Sequence, residues 1–160
     1  MLHSIRQNMT WRALPLAAAA AGTAFLITQL VLMGLLLQIG PALSLRYMAS
    51  VVMGSGAVTD LSTGVLIAGV LVHYALSLAF TTLLAVILHR GGLLIGVLGG
   101  AVLGLALYGI NLYFMTRYLP WFFALNSPAL LIAHVVFGAV AGGVYELFDH
   151  YDGDAPQGGV

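Results

Sequence analysis

Four uncharged polar side chains stand inside otherwise apolar stretches of the sequence: Gln29, His73, Asn111 and His134. Carboxamides and neutral imidazoles both donate and accept hydrogen bonds, and an imidazole nitrogen also ligates metals, so three uses are open to such a set. The residues can bond across helices and to main-chain carbonyls, fixing the register of a bundle at about 0.6 kcal/mol per contact. His73 and His134, facing one another, can hold a b-type haem, the one cofactor alternative to none. Or the group can bind a quinone head group or a small solute, with Tyr74 and Tyr108 as neighbours. Cysteine is absent, which removes thiolate nucleophiles and Cys-ligated metals. No aspartate, glutamate or arginine lies deep in these stretches, which argues against an ion pump and against intramembrane acid–base chemistry.

The elements that position these residues follow from composition. The chain of 160 residues is 61% hydrophobic and 6% charged, with a mean hydropathy of +1.05, where a soluble domain carries roughly 25% charged residues. Five arginines, no lysine and five carboxylates leave no basic patch for nucleic acid. Four segments, about 14–38, 65–88, 93–116 and 128–148, are long enough for a hydrocarbon core that takes ~20 apolar residues. The fold class expected is all-α: a single transmembrane domain over 1–148, an integral four-helix bundle in contact with lipid, followed by an acidic tail without structure over 149–160. The first apolar segment outruns the ~7–15-residue core of a secretory signal and is read as a retained span. Arg6, Arg12 and Arg90 fall on one side and Arg46 and Arg117 on the other, a bias that places both termini in the cytoplasm. At ~1.5 Å per residue the four polar residues then share one layer, roughly 5–9 Å to the outer side of the helix midpoints.

Between the first two spans, "LSLRYMASVVMG" has apolar residues at helical spacing and one arginine, which predicts a short interfacial helix started by Pro41. "GSGAV" after it releases the chain. "HRGG" makes a tight turn between spans two and three. In "RYLPWFFALNSP", Tyr118, Trp121, Phe122 and Phe123 form an aromatic belt, with Trp11 serving the other side.

The third span carries Gly92, Gly96, Gly100 and Gly104 at a spacing of four. In water each interior glycine would lose about 1 kcal/mol of helix stability against alanine. In lipid, helix association depends on close backbone approach, and such a GxxxG-type stripe supplies it. Gly138 and Gly142 on the fourth span, and Ala18 and Gly22 on the first, offer matching small faces. The stripe serves packing within the bundle or, since it exceeds what one crossing needs, a face for another subunit. His73 with Ser77 and His134 with Gly138 suggest a weak two-plus-two repeat. "MGSGA" lacks the spacing of a nucleophile elbow at Ser55, and "DHYDGD" lacks that of a calcium loop. His3, His89 and His150 fall near the terminal side with no role assigned.

The blocks "SLRYMASVVMGSGA", "GLALYGINLYFMTRYLPWF" and "LLIAHVVFGAVAGGVY", with His73 followed by Ser77, resemble a group of small bacterial four-span inner-membrane proteins, sometimes labelled transporters or symporters. That resemblance implies a bacterial inner-membrane location and no transferable catalytic residues. The expected function is non-catalytic: an accessory or assembly subunit in a larger respiratory or photosynthetic complex, in contact with other subunits or copies of itself. The alternatives are an oligomeric small-solute transporter or channel, and a bis-histidine haem electron carrier.

Overall fold

Apolar runs of this length can satisfy their backbone groups in lipid only as helices. A computed structural model describes residues 9–88 and 91–153. It gives α1 (Ala13–Leu37), α2 (Pro41–Met53), α3 (Thr63–Leu88), α4 (Leu93–Gly109) and α5 (Pro128–Gly153). α1, α3, α4 with its continuation to Arg117, and α5 up to Asp149 are each long and apolar enough to span a membrane, as expected of a four-helix bundle. The short helix expected between the first two spans is α2, begun by Pro41 after extended Gly40. It packs on α3, where the carbonyl of Leu45 occupies the space a Cβ on Gly69 would need. α5 runs past the expected boundary at 148 as far as Gly153, so the first part of the expected unstructured tail is helical. Residues 154–160, His3 and His89 lie outside the described residues, as does the His150 side chain.

The bundle is asymmetric. Of α5's apolar window 56% is buried, against 28% for each of the other three spans. α5 is the hub: α4 and α1 pack along it, α3 leans mainly on α1 and α2, and α3 and α4 barely touch. The glycine stripe explains the tightest contact. A Cβ on Gly100 would collide with the carbonyl oxygen of Gly138, one on Gly104 with that of His134, and one on Gly96 would come 2.7 Å from that of Gly142. The expected match of this stripe with Gly138 and Gly142 is therefore what the fold contains. Gly22 instead meets α3, 2.7 Å from the Ser77 hydroxyl for an added Cβ.

Gly92 departs from the packing role assigned to it. It precedes α4 with φ 79° and ψ 165°, and no atom lies within 4 Å of an added Cβ. Its glycine is needed for a backbone conformation that L-residues rarely adopt. Its N–H donates to Glu146 Oε2 at 2.8 Å. Gly92→Ala is expected to lower stability by roughly 1–2 kcal/mol through backbone strain alone; an unchanged unfolding midpoint in detergent would remove that account.

The α4 helix does not end at Gly109. It widens into a π turn, Ile110–Phe114, and tightens through a 3-10 turn, Met115–Arg117. The connection beyond is pinned to α2: the Trp121 indole N–H donates to Ser50 Oγ at 2.9 Å, and Phe122 meets Tyr47 edge to face at 6.0 Å. Of the expected aromatic belt, Tyr118 and Phe123 are exposed, while Trp121 and Phe122 fasten the loop. Trp11 is exposed at the other end.

Ahead of α3, the Ser62 N–H donates to Asp60 Oδ1 at 2.8 Å. This bond holds the exposed carboxyl below its usual range, helped by Arg46 nearby. A depressed carboxyl contributes above its unfolded pKa of ~3.9 and loses that contribution as pH falls through the folded value. Asp60→Asn is thus expected to flatten part of the stability decline below about pH 4, read as unfolding midpoint against pH.

Candidate functional site

The side of the bundle bearing α2 and the long loop, here called the loop side, holds the four polar residues. Gln29 and Phe25 stand one turn apart on α1, His73 and Ser77 one turn apart on α3, His134 on α5 and Asn111 in the π turn of α4. All of them line one cavity of about 330 Å³, within the ~300–1,000 Å³ of ligand pockets. It lies where α3 and α4 stand apart. Its lipid-side rim is Leu76, Ile110 and Met115, all exposed, and Met48 and Phe122 close it towards the loop side.

The hydrogen bonds determine what each polar group still offers. A carbonyl oxygen only accepts, so the ring nitrogen facing one carries the proton. His73 Nε2 lies 2.8 Å from the Gly22 carbonyl, which leaves Nδ1 as the acceptor of a neutral ring. His134 Nδ1 lies 2.9 Å from the Leu130 carbonyl, so its Nε2 accepts, and the Asn111 amide Nδ2 donates to it at 3.1 Å. Asn111 retains its carbonyl oxygen as an acceptor. Ser77 turns its hydroxyl back to the His73 carbonyl at 2.8 Å. Gln29 is 1% exposed, and its Oε1 is buried with no hydrogen-bond partner among the described residues. Among the described residues, no aspartate or glutamate lines the cavity.

Each of the two imidazoles packs against the Phe25 ring, with centroids 5.4 Å from His73 and 4.9 Å from His134. Both His134 nitrogens are engaged, so axial ligation through its Nε2 would need the Asn111 bond broken. Tyr74 and Tyr108 flank the histidines at 5.2 and 5.8 Å. Their hydroxyls go elsewhere, to Thr23 Oγ1 and Asn126 Oδ1 at 2.9 Å each, and neither residue lines the cavity.

Sequence reasoning missed two features. Phe25, one apolar residue among many, gave no signal. Glu146 did: Gly138, Gly142 and Glu146 continue one face at a spacing of four, and that face meets the glycine stripe. Glu146 is 2% exposed and sits at the N-terminus of α4, where the helix dipole favours a carboxylate. Models of known families, curated proteins and solved structures give no match to this chain.

Proposed function

We propose that the protein binds a small, largely apolar molecule with one polar end, held in the loop-side half of the bundle between α3 and α4. The observation that carries this reading is the cavity: apolar and aromatic walls, converging polar groups from four spans, and an edge open towards lipid. Ligand pockets have this mix of greasy walls and few polar groups. The π turn fits the same reading, since such turns recur at functional sites and here one carries Asn111. The reading develops the expectation of a quinone or solute site. The accessory-subunit expectation drew on a surplus glycine face, a tiny soluble portion and the absence of deep charges; in the fold Gly96, Gly100 and Gly104 are taken up by α5 of the same chain, so the reading favoured here draws on the cavity instead. A bacterial inner-membrane setting remains what the motif resemblance implies.

Native mass spectrometry of protein extracted gently from its own membranes tests the proposal. A mass increment of a few hundred daltons per chain is expected, and Leu76→Trp, which fills the rim from a lipid-exposed position, is expected to remove it. An increment unaffected by Leu76→Trp would locate the ligand elsewhere; a bare chain mass from native membranes would count against binding.

A further inference from the structure

Resting on the cavity reading, we infer that the site selects uncharged lipophilic molecules, with a carbonyl, amide or hydroxyl head, over ions of either sign such as fatty acids, phosphate esters and amines. Among the described residues, the cavity wall holds no aspartate, glutamate, arginine or lysine. Arg46 on α2, Asp60 ahead of α3 and Arg117 after the π turn belong to elements around it, but none of them lines it. Arg12, Glu146 and Asp149 sit towards the opposite end of the bundle, where α1 begins and α5 ends.

The histidines do not make up for the missing charges. Each neutral ring spends its one proton on a main-chain carbonyl, His73 on Gly22 and His134 on Leu130. A second proton on His134 Nε2 would face the Asn111 amide N–H that it now accepts. His73 has room for one only at Nδ1, where the cation formed would meet no carboxylate on the cavity wall. The polar groups left over are of both kinds: Gln29 Nε2 and the second Asn111 Nδ2 hydrogen donate, while Asn111 Oδ1 and His73 Nδ1 accept. A ketone, an amide and a hydroxyl therefore each find a counterpart. An ion needs more than that, because its desolvation in an apolar pocket is repaid only by an opposite charge with good geometry. Phe25, Phe80 and Phe122 provide flat apolar surface for the body of the molecule.

Four probes sharing one pentylphenyl body test this: 4-pentylbenzamide and 4-pentylacetophenone, both neutral, the 4-pentylbenzoate anion and the 4-pentylbenzamidinium cation. Amide, carboxylate and amidinium are planar heads of nearly one shape, and the ketone, like the carboxylate, only accepts hydrogen bonds, so charge is separated from shape and from polarity. Binding to the full chain at neutral pH is measured by equilibrium dialysis in a nonionic detergent. Uptake by micelles is subtracted with Leu76→Trp and, from the α4 side of the rim, Met115→Trp. Amide and ketone are each expected to bind roughly tenfold or more tightly than either ion. An ion bound as tightly as the amide, and lost in the rim variants, would overturn the selection while leaving the cavity as a binding site. A ketone bound no better than the benzoate would overturn charge as its basis. Binding of no probe above the level of both rim variants would overturn the cavity reading, and this inference with it.

Discussion

Gly100→Ile is expected to break the pairing of α4 with α5 and destabilise the protein by about 3 kcal/mol or more, at the upper end of overpacking effects. The reason is the identity of the obstructing atoms. A Cβ at this position meets the carbonyl oxygen of Gly138, its carbonyl carbon and the Ala139 nitrogen, all main-chain atoms of a buried helix that cannot step aside as a flexible side chain can. Because α5 also carries the contacts with α1, moving it disturbs the whole bundle. Gly34→Ala is the control: nothing lies within 4 Å of its added Cβ, and the change is expected to be neutral or to gain up to ~1 kcal/mol of helix stability. Thermal unfolding in detergent, followed by circular dichroism, separates the two. If Gly100→Ile retains the wild-type midpoint, α4 does not lie on α5 in this way.

Gln29→Met is expected to act in the opposite direction, raising the stability of ligand-free protein by about 1–3 kcal/mol, the cost of an unsatisfied buried polar group. Methionine matches the length of glutamine, so the wall formed with Phe25 and Met48 is kept. The same change is expected to weaken binding of a cavity ligand, whose polar end loses the Gln29 amide. This pairing of gained stability with lost binding distinguishes a ligand-directed residue from a register-fixing one. A destabilised Gln29→Met would show that the amide bonds within the bundle, leaving the polar layer a purely structural device.

The extent to which each residue was legible in the sequence depended on whether its role is local. Span ends fell within two residues of their expected positions except for the later end of α5, since length against bilayer thickness is a property of the segment itself. The glycine stripe was legible for the same reason, and its match with Gly138 and Gly142 followed from spacing. Gly92 was misassigned because spacing shows where a glycine lies and not its φ. Phe25 was invisible, being one more apolar residue in a helix apolar on every side. Glu146 was legible only once the stripe it continues was known to face α4.

The sequence by itself determined a multi-pass helical membrane protein with four apolar spans, a short helix after the first, and one layer of neutral polar residues in the loop-side half. Only the tertiary structure decided which helices meet, that α5 rather than another subunit covers the glycines, and that α3 and α4 stand apart around a cavity. The physical reason lies in the solvent. Water sorts the faces of a helix into apolar and polar, so that a soluble helix announces its buried side. In lipid both faces are apolar, small residues are the main label of contact, and a gap between two helices leaves no mark on either.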